Sequence, residues 1–296
     1  MELIILGSGG ATTIPRPGCQ CRVCVEARLK GIPYARSSPS LYVPEVRVLF
    51  DTPEEVGSQL NRERINDIDY IFYTHWHPDH TLGLRIVERM YKFWLGRFVR
   101  GDKPLKKVRV CALAEVVADL KKAYGGFLSF YKKQELIEIV ELKEATRFTV
   151  KNYQITPFMV CGGGATAKVS SKKRNSMVST VFLIEGENKK VIYAPCDVKP
   201  FPEIRKLKNV DLLILGEALP DGSLKEGITI PEDNLLRKEL FSMEEIAGLV
   251  DRLRPRKTIL THIEEEWGRS YDDYKSMEKS YYGKVVFAYD GMKVTV

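Results

Sequence analysis

The sequence predicts an α/β protein in which two β-sheets are faced by helices. Its first half has many short strand-like segments with few helices between them, and its second half has the order β-α-β-α-β. This order of elements is typical of layered sheets covered by helices. With 296 residues, of which 44% are hydrophobic, the chain can bury a large core. We therefore expect residues 1–296 to form a single domain.

The periodicity of apolar residues predicts thirteen strands and six helices. The predicted strands cover residues 2–6, 40–43, 46–50, 69–73, 107–111, 147–150, 153–159, 178–185, 190–194, 211–215, 256–260, 284–288 and 292–296. The predicted helices cover residues 54–61, 82–94, 113–123, 201–207, 242–253 and 271–280. Ser242 and Glu245 form a capping-box pattern before an apolar-periodic run, so this helix start is the best defined of these boundaries.

Several connecting segments have a distinctive composition. Residues 11–36 hold a cysteine cluster, residues 162–166 are glycine-rich and precede a basic run at 168–174, and residues 217–240 read as a charged excursion rich in Gly and Pro. The segment 85–133 carries thirteen Lys or Arg against four acidic residues. This basic insertion is either a solvated face or an electropositive approach for a phosphate-bearing substrate, and charge alone does not decide.

The sequence shows no sign of a membrane or secreted protein. No apolar run approaches the roughly 20 residues that a membrane span requires. Residues 1–7 read as a first strand and contain neither a basic leader nor a cleavage site. We expect a cytoplasmic protein that does not bind a membrane, and a homodimer is compatible with the sequence.

Three of the four histidines fall in one short motif, His75-x-His77-x-Asp79-His80. Imidazole nitrogens and carboxylate oxygens are the ligands that a zinc-like cation takes. The alternative, a polar surface loop, fits less well because the predicted strand 69–73 runs directly into the motif. Ligands at the end of a core strand are held rigidly. We assign His75 and His77 to one metal, and Asp79 and His80 to a second.

A two-metal hydrolase needs further donors, about seven or eight in all, from elsewhere on the same rim. Asp197 follows the predicted strand 190–194 and is a candidate carboxylate to bridge the two cations. His262 follows the predicted strand 256–260 and is the remaining histidine. Each position is ordinary by itself, but together with the histidine motif both are expected ligands.

Cys19, Cys21 and Cys24 form the pattern Cys-x-Cys-x-x-Cys. Such short spacings let one loop wrap a tetrahedral zinc ion. Because the chain lacks a secretion signal, a metal clamp is favoured over a disulfide framework or three free thiols. We expect one structural zinc at this site.

These motifs, in this order, resemble the metallo-β-lactamase fold superfamily. The shared motifs lie at residues 7–10, 74–80, 196–197 and 261–262. Within the superfamily the chain most closely resembles the PhnP-type phosphodiesterases, whose relatives include PqqB-like proteins, because residues 18–28 are similar to the cysteine signature of that branch. The resemblance implies a four-layer αβ/βα sandwich, two zinc or manganese ions at the active site, and phosphodiester hydrolysis by a hydroxide that bridges them.

The chain departs from the family pattern at three places. Where the superfamily supplies a further histidine to the first metal, this chain has Cys161, which either substitutes as a thiolate or leaves that metal weakly held or absent. Where relatives complete the cysteine site with a histidine, this chain has Glu265, with Glu264 or Glu266 as alternatives. Where relatives have a histidine as general acid, this chain has Glu217. We expect Asp79 and Glu217 to be the catalytic residues, although metal-bound water is an alternative proton donor.

The resulting hypothesis is a metal-dependent phosphodiesterase that acts on a nucleotide or a cyclic phosphate ester. RNA or DNA is not favoured as substrate because no aromatic platform for single strands is evident. The two departures at Cys161 and Glu217 motivate an alternative, a non-hydrolytic metal-binding accessory protein similar to PqqB. Hydrolysis of a thioester, a lactam or another ester shares the fold and is a third alternative.

Overall fold

The computed structural model describes residues 1–162, 177–281 and 284–296. The predicted glycine-rich segment from residue 163 onward and the basic run 168–174 lie outside the described residues. Within these ranges, no helix is both long enough and apolar enough to cross a membrane.

Strands make up most of the described elements. They are β1 (Glu2–Gly7), β2 (Ser40–Val43), β3 (Val48–Phe50), β4 (Tyr70–Phe72), β5 (Val108–Leu113), β6 (Ile137–Leu142), β7 (Phe148–Val150), β8 (Tyr153–Gly162), β9 (Met177–Gly186), β10 (Lys189–Ala194), β11 (Leu212–Leu215), β12 (Ala218–Leu219), β13 (Phe241–Ser242), β14 (Lys257–Leu260), β15 (Val285–Phe287) and β16 (Met292–Thr295).

Seven α-helices connect these strands in the part of the chain that the structure describes. They are α1 (Arg22–Lys30), α2 (Val56–Arg62), α3 (Pro78–Thr81), α4 (Ile86–Tyr91), α5 (Ala114–Lys133), α6 (Met243–Leu253) and α7 (Tyr271–Glu278). The capping box at the start of α6 is formed, because the Ser242 hydroxyl accepts a hydrogen bond from the Glu245 backbone N–H and the Glu245 carboxylate accepts one from the Ser242 N–H.

The predicted fold class is confirmed, and the differences are local. All thirteen predicted strands are present among the described residues, and β6, β12 and β13 are added to them. The expected cysteine loop 11–36 contains α1, which begins directly after Cys21. The expected helix 201–207 is only a 3₁₀ turn at Arg205–Leu207. The basic segment 85–133 includes β5 and α5, so it holds core elements of the first sheet as well as connecting chain.

Two seven-stranded sheets form the centre of the molecule. Their strand orders are β16-β1-β2-β3-β4-β5-β6 and β15-β14-β11-β10-β9-β8-β7. In the first sheet β3 to β6 are parallel, and in the second β10, β11, β14 and β15 are parallel. Because the carboxyl ends of parallel strands meet at one edge of a sheet, each sheet presents a row of loops at that edge.

Aromatic side chains join the two sheets. The ring of Phe50 on β3 lies 5.3 Å from the rings of both Phe182 on β9 and Tyr193 on β10, and Phe72 on β4 lies 5.7 Å from Phe182. All four side chains are buried. Offset and edge contacts of this kind add to the free energy that apolar burial provides. The core therefore fixes the loop that follows β3 relative to the loop that follows β10.

Candidate metal centre

The candidate ligands lie just beyond the carboxyl ends of parallel strands. His75 follows β4, Asp197 follows β10 and His262 follows β14. Asp197 and His262 have φ angles of 55° and 54°, and Asp51 after β3 and Glu217 after β11 have φ angles of 59° and 60°. Non-glycine residues rarely adopt this left-handed region, which costs about 1–3 kcal/mol at each position and is concentrated at functional sites. The sharp turn at each strand end directs these side chains to a common rim.

One donor group comprises His75, His77 and Asp197. The His75 Nε2 and His77 Nδ1 atoms each lie 3.5 Å from Asp197 Oδ2. His75 and Asp197 are buried or nearly so, whereas His77 is partly exposed. His75 and His77 are the pair expected at one metal, and Asp197, expected as a carboxylate that bridges the two cations, lies beside this pair.

The second donor group comprises Asp79, His80 and His262. Asp79 Oδ2 lies 3.3 Å from His80 Nε2 and 3.5 Å from His262 Nε2. The planes of the His80 and His262 rings are nearly parallel, with centroids 5.5 Å apart. The two groups are adjacent, because the ring centroids of His75 and His80 are only 4.2 Å apart.

The donor atoms fit a divalent cation. The buried nitrogens His75 Nε2, His80 Nε2 and His262 Nε2 have no hydrogen-bond partner, which would be costly if nothing else met them. Two nitrogen or oxygen ligands of one zinc ion, at bond lengths of about 2.0–2.2 Å, lie about 3.3–3.6 Å apart. The distances of 3.3–3.5 Å between the grouped donors match this spacing.

Asp51 and Thr74 orient two of the imidazoles from behind. The His80 Nδ1 atom lies 2.9 Å from Asp51 Oδ2, and His75 Nδ1 lies 3.0 Å from Thr74 Oγ1, which in turn donates to Asp51. With both Nδ1 atoms carrying protons toward these acceptors, both Nε2 lone pairs face the rim. Carboxylate–histidine contacts of this kind fix the tautomer and the orientation of a metal ligand.

Glu264 lies beside the third imidazole. Its Oε1 atom lies 3.3 Å from His262 Nδ1 and accepts a hydrogen bond from the Ala11 backbone N–H. The contact requires glycine at position 10, since a Cβ there would lie 2.0 Å from the same carboxylate oxygen. Glu264, an alternative ligand for the cysteine site, is therefore placed beside His262.

Burial and the neighbouring charges shift the pKa values of the histidines in opposite directions. Burial lowers the pKa of His75 well below its ordinary value, which keeps the ring neutral as a metal ligand must be. Burial also disfavours protonation of His80, but Asp79 and Asp51 outweigh it and raise the His80 pKa to about 9. A cation that binds to His80 must therefore displace a proton.

A separate cluster brings together Cys19, Cys21, Cys24 and Glu265. The Glu265 Oε1 atom lies 3.3, 3.0 and 3.2 Å from the three sulfur atoms in that order. Cys21 immediately precedes α1 and Cys24 lies in its first turn, so the helix start positions two of the thiols. Three sulfurs and one oxygen at these distances can enclose a tetrahedral zinc ion.

Two positively charged side chains lie beside the cysteine cluster. Lys225 Nζ lies 2.6 Å from Glu265 Oε1 and 3.2 Å from Cys19 Sγ, and Arg16 Nη1 lies 3.8 Å from Glu265 Oε2. Burial favours the neutral form of Glu265, but Lys225 and the three thiols outweigh it and lower the pKa of this carboxyl to about 2. Since a zinc ion with three thiolates and a carboxylate carries net negative charge, Lys225 and Arg16 would partly neutralise it. Glu266, the other alternative, extends toward Arg16 at 3.6 Å.

Cys161 and Glu217 are placed differently from the other predicted site residues. Cys161 is exposed near the end of β8, and no group of candidate ligands among the described residues includes it. Glu217 is buried and accepts a hydrogen bond of 2.7 Å from the Asp197 backbone N–H. Burial first, and then Asp197, raise the Glu217 pKa to about 8.

Cys196 is a residue that the sequence analysis did not single out. Its sulfur lies within 4.8 Å of the donor atoms of His75, His77 and Asp197, and also within 4.8 Å of those of His80 and His262. Asp51, Thr74 and Glu264 were also missed as orienting groups. Asp51 and Thr74 directly follow the predicted strands 46–50 and 69–73, and this position was the signal that could have found them.

A cavity of about 500 Å³ opens above both donor groups. Its floor includes His77, Asp79, Asp197 and His262. Its walls include the apolar side chains of Leu224, Ile228, Ile230, Leu236, Leu240 and Trp267. Among the described residues that line it, none belongs to the basic segment 85–133.

A family model described as a beta-lactamase superfamily domain matches residues 46–263, which contain both donor groups of the rim. The chain belongs to the metallo-β-lactamase fold superfamily. The chain is also similar to a diphosphatase of the PhnP family, with a TM-score of 0.70 and 20% identity over 99% of this chain and 96% of that one. Zn²⁺-bound PqqB from Methylobacterium extorquens is similar over 100% of both chains, with a TM-score of 0.72 and 17% identity. These two likenesses show the metallo-β-lactamase fold.

A stretch of 87 residues, 28% of this chain, is 36% identical to part of an octanoyltransferase from Porphyromonas gingivalis. The match covers 17% of the length of that curated relative, so most of the relative has no counterpart here.

The orientation of His80 by Asp51 predicts a loss of metal affinity in Asp51→Asn. The amide N–H of asparagine would face His80 Nδ1 or the Thr74 hydroxyl, both of which now donate to Asp51. We therefore expect the rim to bind zinc about 10–100-fold more weakly. Competition with a chromophoric chelator measures this affinity. Asp233→Asn, at an exposed loop position, is the matched control. An unchanged affinity in Asp51→Asn would show that Asp51 does not orient the ligands.

The cysteine cluster predicts the loss of one tightly bound zinc in Cys24→Ser. We expect elemental analysis to give one metal fewer per chain and the thermal midpoint to fall, because binding energy at a structural zinc site contributes to folding. Cys111→Ser is the control, since Cys111 is buried in β5 away from both donor groups. It should lose stability and keep its metal content. An equal metal content in wild type and Cys24→Ser would contradict a zinc site at these residues.

Proposed function

We propose that this protein is a metal-dependent hydrolase of phosphodiesters. The observation that carries the proposal is the pair of adjacent donor groups, each with two imidazoles and one carboxylate, at the floor of one cavity. Divalent cations held there would supply a water of lowered pKa as nucleophile and positive charge against the phosphoryl oxygens. The likeness to a diphosphatase of the PhnP family supports a hydrolytic reaction at phosphorus.

The cavity favours a small substrate with an apolar portion. A volume of about 500 Å³ suits a nucleotide-sized molecule, and the apolar wall from Leu224 to Leu240 can receive a base or an apolar alcohol. Arg16 and Lys225 are the cationic side chains on the described part of the lining. The segment 85–133 lies off the cavity wall, so any effect of its charge on a phosphorylated substrate would be long-range.

In this proposal the chain's own residues hold and orient the reacting groups. His77, Asp79 and Asp197 border the open space and would hold divalent cations there. The buried rings of His75, His80 and His262 would supply the remaining ligands. Glu217 fixes the Asp197 backbone and also lines the cavity, where burial favours its protonated form, which would donate a proton to the leaving oxygen.

The apolar wall also favours a second candidate, hydrolysis of an acyl thioester or ester. An acyl chain would occupy the space between Ile228, Ile230 and Trp267. The partial likeness to an octanoyltransferase is compatible with an acyl substrate. The likeness to PqqB keeps a non-hydrolytic role as a third candidate.

Zinc-reconstituted protein is expected to hydrolyse bis(p-nitrophenyl) phosphate faster than p-nitrophenyl octanoate. Asp197→Ala should lower the phosphodiesterase rate by on the order of 10²-fold or more, because a ligand at the reacting face is lost. Asp233→Asn should leave the rate unchanged. Equal activity of Asp197→Ala and wild type would falsify the assignment of the site. Turnover of the octanoate alone would favour the acyl hydrolase, and turnover of neither ester the non-hydrolytic role.

Glu217→Gln tests the proton donor. The amide oxygen can still accept from the Asp197 N–H, but the side chain can no longer act as an acid. We expect hydrolysis of p-nitrophenyl phosphodiesters, whose leaving group needs no proton, to change by less than about threefold. Hydrolysis of a dialkyl phosphodiester, whose alkoxide leaving group needs a proton, should fall by roughly 10²-fold. An equal loss for both substrates would assign Glu217 to positioning Asp197 alone.

A further inference from the structure

The rim has one place in its ligand set that imidazole does not fill. The first donor group contains two imidazoles and one carboxylate, and all four histidines of the chain are already used in the two groups. Cys161, the residue expected to substitute, is exposed, and no group of candidate ligands among the described residues includes it. A further soft donor must therefore come from another side chain, or the group keeps three protein ligands.

Cys196 has the required position. Its sulfur lies within 4.8 Å of donor atoms in both groups. Among the described residues, Cys196 is the one candidate ligand that is close to both groups in this way. Sulfur and nitrogen ligands of one tetrahedral zinc ion lie about 3.5 Å apart, so small adjustments bring Cys196 into either coordination sphere. The thiol is 4% exposed and borders the cavity.

The surroundings of Cys196 are unlike those of a packing cysteine. Its sulfur lies 3.5 Å from Asp197 Oδ2 and 3.6 Å from Glu217 Oε1. The unpartnered nitrogens His75 Nε2, His80 Nε2 and His262 Nε2 point into the same space. Carboxylates, imidazole lone pairs and a sulfur that converge on one buried point are the donors of a metal site.

The backbone holds the sulfur in place on both sides. The Cys196 carbonyl accepts a hydrogen bond of 2.9 Å from the Ser179 hydroxyl, and the next N–H, that of Asp197, donates to Glu217. Gly216 allows β11 to approach this turn, since a Cβ there would lie 1.5 Å from the Pro195 carbonyl oxygen. The position of the thiol is thus fixed by the same contacts that fix Asp197.

We infer that Cys196 is a metal ligand, a thiolate placed between the two donor groups of the rim. On binding, the thiol releases its proton to solvent and the sulfur coordinates the cation. A thiolate selects zinc or cobalt over manganese and magnesium, so the site is a zinc centre and not a manganese centre. The inference rests on the proposed metal centre but is independent of which ester is hydrolysed.

Cobalt substitution tests the inference without reference to activity. Wild-type protein that retains one zinc in the cysteine cluster is titrated with Co²⁺. The near-ultraviolet charge-transfer band from sulfur to cobalt is recorded. We expect the band to grow with the cobalt that enters the rim, because Cys196 supplies a sulfur there. Cobalt that binds with only ligand-field bands, and no charge-transfer band, would overturn the inference even if the protein hydrolyses phosphodiesters.

Two variants identify the sulfur. When both the rim and the cysteine cluster hold cobalt, the cysteine cluster contributes equally to the band in every variant. Cys196→Ser should lose the remaining part of the band, and Cys161→Ser should retain all of it. The zinc-to-manganese affinity ratio of the rim should fall by at least about tenfold in Cys196→Ser. Loss of the band in Cys161→Ser instead would move the sulfur ligand to Cys161. If Cys196→Ser does not fold, Cys196→Ala and the wild-type titration decide the question.

Discussion

Unpartnered imidazole nitrogens at the rim of the two sheets are the constraint on which the rest of the structure depends. Three buried Nε2 atoms and two carboxylates converge at the floor of the cavity, and no hydrogen bond satisfies the nitrogens. Such an arrangement is costly for a protein alone and favourable around a cation. The strained backbone at Asp51, Asp197 and His262 is maintained by the sheets so that these donors converge.

The short segment from His262 to Glu265 connects the two metal-binding regions. His262 belongs to the rim, Glu264 lies beside its ring, and Glu265 faces the three thiols. Cations at the cysteine cluster would therefore stabilise the backbone that carries a rim ligand. Lys225 extends the connection, since it contacts Glu265 and also lines the cavity. The cysteine cluster thus has a structural role for both the ligand and the cavity wall.

The cavity constrains the substrate more tightly than the net charge of the chain does. A basic segment suggests an anionic partner, but the described lining is apolar with acidic and basic groups at its edge. Positive charge at the reacting centre would then come mainly from cations on the rim, because Arg16 and Lys225, which also line the cavity, pair with Glu265. This limits the favoured substrates to small esters with an apolar part, and it disfavours long nucleic acids that would need an extended basic surface.

The sequence by itself determined the fold class, the histidine motif, the strand-end donors Asp197 and His262, and the cysteine cluster. These features depend on periodicity and on spacings of a few residues, which are local properties of the chain. Only the tertiary structure decided which neighbours complete the site. Asp51 meets His80 across 29 positions, and the sulfur of Cys196 lies close to the histidines because β10 ends at the rim that they share. Such contacts depend on how strands pack, which no local pattern records.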